Sequence, residues 1–417
     1  MNNNIANFFT LSDWLNYLKK FRLNVKYNCF KNVIFIAKKI GILKLDAFIY
    51  IVGGTNGKGT TCFVLEKMFL AMGYRVGLYT SPHLFKYTER VRINGCELDE
   101  NLHISAFITV ENARSTLSLT YYDFITLSAL YLFKYYRKLD IVILEVGVGG
   151  RLDATNIIDP DVSVITNIAI DHIEILGKNR DLISIEKSGI LRKNKIAIIS
   201  EKNIPRSIQH IIKYNQVNVK LIHQDWNYRK YDNNWAFISK RVCFLDLPIP
   251  KVSLINTATA LAAITESNFF IKKSIIKNCI NHIQIPGRYQ ILSYNPTVIL
   301  DVAHNFHATQ HLFNQLIVMK KIGKIHAIVG ILKTKNIVEV VTPLISIVDH
   351  WYCIRLNTKR SASEDKIMKC LPIGSSKFFS SINYAWKEVQ RVVDITDIII
   401  VFGSFVTVRE ISILLKI

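Results

Sequence analysis

Short apolar runs recur along this chain, and most end on a glycine or a polar side chain. The runs at 48–52, 76–80, 141–144 and 162–169 have the length and β-branched content of buried parallel strands. Between them, 62–72 and 127–135 repeat apolar residues at helical spacing. Ahead of the first strand, Leu11, Trp14, Leu15 and Leu18, then Val33, Ile36, Ala37 and Ile40, predict two helices packing on a sheet. Residues 200–250 break this rhythm: they are polar and tyrosine-rich, close on Pro248 and Pro250, and are expected to be irregular. An alanine-rich helix begins at Asn256. The alternation predicts an α/β fold with a doubly wound, mostly parallel sheet carrying a phosphate-binding loop.

At Pro286-Gly287-Arg288 the pattern restarts, as at a hinge. Strands are predicted at 298–301, 327–330, 351–354 and 397–402, with a helix at 307–319. Residues 1–286 therefore read as one domain and 287–417 as a second, smaller Rossmann-like α/β domain, in keeping with a length of 417 residues.

Composition narrows the function classes. A formal charge of +21 raises nucleic acid as a partner, yet the basic residues are spread along the whole chain among isoleucines and asparagines. Lys, Asn and Ile share AT-rich codons, so the excess reads as base-composition drift, and no nucleic-acid partner is expected. The seven cysteines form no Cys-x-x-Cys pair and are expected to be reduced. The start lacks a signal pattern, and no uncharged apolar run reaches the roughly 18 residues of a spanning helix, so a cytoplasmic protein without membrane attachment is expected.

The candidate chemistry sits at strand ends. Directly after the first strand comes Gly53-Gly54-Thr55-Asn56-Gly57-Lys58-Gly59-Thr60-Thr61. Strand, glycine turn and helix is the context of a phosphate-binding loop, in which backbone N–H groups and a helix N-terminus converge on an anion. Lys58 would reach the β- and γ-phosphates, and Thr60 or Thr61 would offer a hydroxyl to Mg2+. The spacing is not a strict Walker A, and a glycine-bearing turn without a ligand is the plain alternative. Glu145 ends a buried apolar run, where an unpaired charge is costly; a divalent cation or a salt bridge to Arg151 would compensate it. Ser81 and His172 follow two other strands, as metal-facing groups or as an ordinary turn residue and a structural histidine. Asp123 near a helix start reads as a cap, and so does Asn256.

The loop wording, Gly-Thr-Asn-Gly-Lys-Gly-Thr, resembles the ATP loop of the Mur ligase superfamily, and specifically its folate branch, the dihydrofolate and folylpolyglutamate synthases. Ser81-Pro82-His83-Leu84, the run from Tyr87 through Gly95, Glu186-Lys187-Ser188-Gly189-Ile190, Asp301-Val302-Ala303-His304-Asn305 and Gly403-Ser404-Phe405 continue the resemblance in order. It implies a monomeric ligase that uses ATP to join L-glutamate to dihydropteroate or reduced folates through an acyl phosphate. It also implies ATP contacts from Asn56, Gly57, Lys58, Gly59, Thr60, Asn256, Arg288 and Asp301, and a pterin and folate site at Tyr121, Tyr122, Asp123, Phe124, Leu152, Asp153 and Ala154. Two Mg2+ ions are implied, with Ser81, Glu145 and His172 as ligands and a carbamylated Lys187 assisting. His304 and Ser404 are the glutamate-side candidates, and Lys58, Lys187 and His304 the catalytic ones.

Three stretches depart from the family pattern: Lys26 to Phe30, Phe306 in place of a proline, and Thr334-Lys335-Asn336. The rival readings are a cell-wall Mur ligase, an ATP-hydrolysing switch and a decayed enzyme.

Overall fold

Residues 10–21, 28–319 and 323–417 are described by the computed structural model of the chain, so Lys26 and Tyr27 lie outside the described residues. The chain divides into two compact units, Met1–Ile283 and Gln284–Ile417. The segment expected to act as a hinge belongs to the second unit, because Val302 N–H donates to Gly287 O at 2.9 Å and Tyr289 N–H to Asp301 Oδ2 at 2.8 Å. No helix among the described residues is long and apolar enough to cross a membrane.

The first unit is built on an eight-stranded sheet, formed by β1 (Phe48–Gly53), β2 (Val76–Tyr79), β3 (Val91–Ile93), β4 (Cys96–Glu97), β5 (Ile141–Glu145), β6 (Val162–Ile165), β7 (Ile196–Ile199) and β8 (Asn218–Leu221). Its order is β4-β3-β2-β5-β1-β6-β7-β8, and all neighbours from β2 to β8 run parallel. The chain leaves β1 toward β2 on one side and reaches β6 on the other. β1 therefore stands where the winding reverses, the place at which doubly wound sheets open a crevice at their carboxyl ends. The central strands are buried on both faces, as their continuous apolar runs require. The helices Leu11–Leu18 and Asn28–Lys39 cover one face, where Trp14 packs against Phe107 and Phe124 at ring distances of 5.7 and 6.4 Å. The alanine-rich helix Leu254–Glu266 packs on the helix Lys58–Ala71, small side chains allowing the close approach.

Residues 200–250 are ordered, contrary to the expectation. They form the helix Arg206–Tyr214, the strand β8 and an antiparallel sheet of β9 (Trp226–Lys230), β10 (Asn234–Ser239) and β11 (Cys243–Pro248) in the order β11-β10-β9. Each strand is short and half exposed, so Lys, Arg, Asn and Asp on the outer side mask the buried Trp226, Trp235 and Phe237.

The second unit carries β12 (Gln290–Tyr294), β13 (Thr297–Leu300), β14 (Ile325–Val329), β15 (His350–Ile354), β16 (Ser376–Phe379) and β17 (Ile398–Phe402) in the order β12-β13-β17-β14-β15-β16. It is parallel except for β12, and β12 and β16, the two edge strands, were not predicted. Both are only partly buried, so neither has the apolar run that marks the central strands.

Candidate active site

The glycine loop is held in shape from outside its own sequence. Gly54 and Gly57 adopt φ of 135° and 84°, where side-chain-bearing residues are strained. Space forbids a side chain as well: a Cβ on Gly54 would lie 1.9 Å from Thr166 Oγ1, and one on Gly57 would lie 2.4 Å from Asn256 Oδ1. Asn256 is thus set against the loop. It does not cap its helix, which begins two residues earlier with Ser253 at the cap position. The polar pair that follows β6 straps the loop down. Asn167 Oδ1 accepts from Asn56 N–H at 2.9 Å, its amide donates to Asn56 O at 3.0 Å, and Thr166 Oγ1 donates to Asn56 O at 2.7 Å. Thr166 and Asn167 have no assigned role in the sequence reading; two polar side chains closing an apolar strand were the available signal.

Two lysines meet on one carbonyl. Lys58 Nζ donates to Gly54 O at 3.1 Å and to Thr55 O at 3.0 Å, and Lys187 Nζ donates to Gly54 O at 2.7 Å. Lys187 lies on the helix Arg180–Ser188 and is buried, not exposed as a surface helix lysine would be. Burial, with the Lys58 charge adding to it, lowers its pKa to about 7. The helix starts at Lys58 itself, so Gly59, Thr60 and Thr61 form its first turn behind Gly57. Thr61 is fully buried with its hydroxyl sealed from solvent, while Thr60 is 5% exposed.

Glu145 and Ser81 come together beside this turn. The Ser81 N–H donates to Glu145 Oε2 at 2.8 Å, and both carboxylate oxygens lie 3.5 Å from the place a Gly59 Cβ would take. Glu145 is 4% exposed. Arg151 is not its counter-ion, because Arg151 pairs with Glu186 at 2.8 Å. A buried carboxylate at a strand end, with hydroxyls on neighbouring elements, is the hard-oxygen donor set that suits Mg2+. Among the described residues no three His, Cys, Asp or Glu side chains form a ready-made cage. Such an ion would therefore complete its shell with hydroxyl, water and phosphate oxygens. His172 precedes the short helix Ile173–Leu176 in a left-handed conformation, its Nδ1 3.8 Å from Glu174 Oε1.

The expected pterin segment divides in two. Tyr121 and Tyr122 are partly buried, and Tyr122 lies across Gly147, where a Cβ would meet its ring at 2.5 Å. Phe124, by contrast, is fully enclosed by Trp14, Phe107 and Phe21, so it belongs to the core and offers no wall to a ligand. Asp123 closes a capping box with Thr120, accepting from its N–H at 3.1 Å and its hydroxyl at 2.7 Å. Asp153 accepts from Gly147 N, Val148 N, Thr155 N and Thr155 Oγ1 at 2.7–3.1 Å, which shapes the turn after β5. Both carboxylates thereby support the local backbone. Leu152 is partly buried beside them and Ala154 is buried.

In the second unit, Asp301 follows β13 and accepts from Tyr289 N at 2.8 Å and Ala303 N at 2.7 Å. Burial raises its pKa, while the Arg288 charge and these two bonds oppose the rise. The Arg288 guanidinium sits 5.1 Å over the Phe405 ring, and the His304 ring lies 6.4 Å from the same ring with Nδ1 2.9 Å from Val302 O. Phe405 is thus the platform that gathers Arg288 and His304, a role the sequence reading missed. Ser404 caps the helix Phe405–Leu415, accepting from Thr407 N at 3.0 Å and sharing a 2.7 Å bond with Thr407 Oγ1. Phe306, in the place of a proline, opens the helix Phe306–Met319 and is exposed.

Comparison with known proteins agrees over both units. Residues 52–292 match the Mur ligase middle domain and residues 287–405 the Mur ligase glutamate ligase domain. The chain is 52% identical over 411 residues to the dihydrofolate synthase/folylpolyglutamate synthase of Buchnera aphidicola subsp. Baizongia pistaciae, covering 98% of this chain and 96% of that one. It is similar to the structure of E. coli FolC in complex with DHPP and ADP, with 42% identity, a TM-score of 0.94 and 98% of each chain covered. It is also similar to the Yersinia pestis bifunctional folylpolyglutamate synthase/dihydrofolate synthase complexed with AMPPNP and Mn ion, with 41% identity, a TM-score of 0.93 and 98% of each chain covered. Agreement of this extent, over both units, means that the chain belongs to the Mur ligase family and, within it, to the dihydrofolate synthase/folylpolyglutamate synthases.

Proposed function

We propose that this chain is an ATP-dependent ligase that joins L-glutamate to 7,8-dihydropteroate and to the glutamyl tail of reduced folates. The observation that carries the reading is the strapped glycine loop with Lys58 and Lys187 on one carbonyl, beside the Ser81–Glu145 pair. The ligands of the relatives, ADP and DHPP in one and AMPPNP and Mn in the other, support it.

A carboxylate is a poor electrophile toward an amine in water. Its oxygen therefore first attacks the γ-phosphoryl of ATP, giving an acyl phosphate and ADP. The glutamate amine then attacks the acyl carbon, phosphate leaves, and the amine nitrogen gives up its proton. For the first step the chain supplies position and charge: the loop amides and the Lys58 ammonium hold the phosphates where negative charge is handed over. Ser81 and Glu145, with His172 and Thr60, are the residues that would hold magnesium, which when bound offsets the charge of the triphosphate. Lys187 suits a carbamate because burial lowers its pKa to about 7, so that a large share of the amine is neutral at neutral pH, the form that adds to CO2.

Residues 1–286 carry the nucleotide and pterin side in this reading and residues 287–417 the glutamate side. In the latter, Arg288 and Asp301 serve the nucleotide, and His304 in place of Ser404 serves glutamate. The protein is taken to work as a cytoplasmic monomer on small molecules, without nucleic acid or membrane.

The test incubates the protein with Mg-ATP, glutamate and either dihydropteroate or tetrahydrofolate, and identifies products by mass. The product expected carries one added glutamate per ADP released. Lys58→Ala and Glu145→Ala are each expected to abolish glutamate-dependent ADP release with the fold intact by circular dichroism. Full turnover by either variant, or ATPase activity indifferent to both pteroate and glutamate, would overturn the reading.

A further inference from the structure

One buried cation of the first unit has no acidic partner among the described residues. Arg90 is 8% exposed, and among the described residues its guanidinium makes one hydrogen bond, from Nε to His83 Nδ1 at 2.8 Å. Two residues on, Arg92 is matched by the buried Glu66 at 3.3 Å, so the fold provides an acid for one arginine and none for the other. A guanidinium out of water without a counter-ion is costly, and such a charge is retained where an anion arrives to meet it. His83 accepts at Nδ1, which makes it the neutral Nε2–H tautomer and a brace that orients the guanidinium without cancelling its charge.

The location narrows the anion. Arg90 O accepts from Thr80 N–H at 3.0 Å, which sets Arg90 next to Ser81 and hence to Glu145. Its charge reaches Tyr79, Tyr87 and the partly buried Tyr121. The phosphates have their own cation on the glycine loop, Lys58. The reaction's other anions are the carboxylates of glutamate, which the reading above gives to His304 of the second unit, and the carboxylate of the acid substrate; a planar guanidinium pairs with a carboxylate through two parallel N–H bonds.

We propose that Arg90, oriented by His83, binds the carboxylate of the acid substrate and so selects the end of that substrate that is presented for activation. This assignment rests on the ligase reading above. Arg90 acts on the ground-state complex, so its effect is read in binding without turnover.

Equilibrium binding of dihydropteroate and of its neutral carboxamide, in the absence of ATP, tests it. The unmodified protein is expected to prefer the acid by at least about tenfold, the scale of a hydrogen bond to a charged group. Arg90→Gln is expected to bind acid and amide alike, at the affinity the unmodified protein shows for the amide, with ADP affinity unchanged. Arg90→Lys, which keeps the charge and loses the fork, falls between. The assignment is overturned if the unmodified protein does not prefer the acid, a result that no folding defect can produce. It is also overturned if Arg90→Gln weakens acid and amide equally, or weakens ADP in parallel. Binding of ADP with neither pteroate ligand would instead overturn the ligase reading, and this assignment with it.

Discussion

The two parallel sheets solve the same problem, a polar site at the carboxyl ends of buried strands, in different ways. At the first sheet the groups come from far apart in the chain: Thr166 and Asn167 reach Asn56 across 110 and 111 residues, and Lys187 reaches Gly54 across 133. At the second sheet they are mostly local. Asp301 is satisfied by Ala303 two residues on and by Tyr289, His304 by Val302, and Ser404 by Thr407. A cross-braced loop is preorganised by the whole unit, so its geometry depends on residues outside any motif. A locally satisfied turn keeps its shape almost wherever its short sequence is placed.

That contrast is sharpened by three perturbations, in falling order of effect. Gly54→Ala pushes a Cβ to within 1.9 Å of Thr166 Oγ1 at a φ of 135°. Displacing the loop by about an ångström should reduce ADP release by at least ~100-fold, while far-UV circular dichroism is retained. Activity within a factor of two would mean that the strap does not set the loop.

The second concerns Lys187. The unfolded chain holds a proton on this amine up to about pH 10.5 and the folded chain only up to about 7. Between those values folding releases a proton, so in CO2-free buffer stability should rise with pH by up to ~1.4 kcal/mol per unit. Below pH 7 this contribution is at its lowest. Lys187→Met should flatten the slope measured by urea titration between pH 7.5 and 9.5. At pH 8 roughly nine-tenths of this amine is neutral, against under ~1% for an ordinary lysine, so 13C-bicarbonate should yield a carbamate signal that Lys187→Met lacks. A slope unchanged in the variant would place the titration elsewhere.

The smallest effect belongs to the local edge. Ser404→Ala removes a helix cap and should cost about 1 kcal/mol of stability, with KM for glutamate unchanged. A rise in that KM would return Ser404 to the substrate.

Much of the architecture was legible from local pattern. Continuous apolar runs marked the central strands of both sheets, and the glycine loop announced itself through strand, turn and helix. The edge strands β12 and β16 and the small antiparallel sheet were not legible, because each is a strand of four to six residues, largely half exposed, in which polar side chains leave no continuous apolar run to stand out. The site divided in the same way. Glu145 and Ser81 were singled out from their places at strand ends, and the structure brings the two together. Asn256 was read as a cap or as an ATP contact and lies against Gly57, not at the cap; Phe124 lies in the core, Asp123 closes the capping box it was read into, and Asp153 shapes the turn after β5.

By itself, then, the amino-acid order determined where strands and helices form, where the chain turns, and which chemical groups stand at the turns, since these follow from periodicity and backbone preference over a few residues. The tertiary structure alone decided what each of those groups is joined to: that Lys187 is dehydrated and shares a carbonyl with Lys58, that Arg151 serves Glu186, and that Arg90 is left without an acid. The cause is physical. Burial and Coulomb partners are set by which elements pack together, across 35 residues for Arg151 and Glu186 and 133 for Lys187 and Gly54, and no local pattern carries that information.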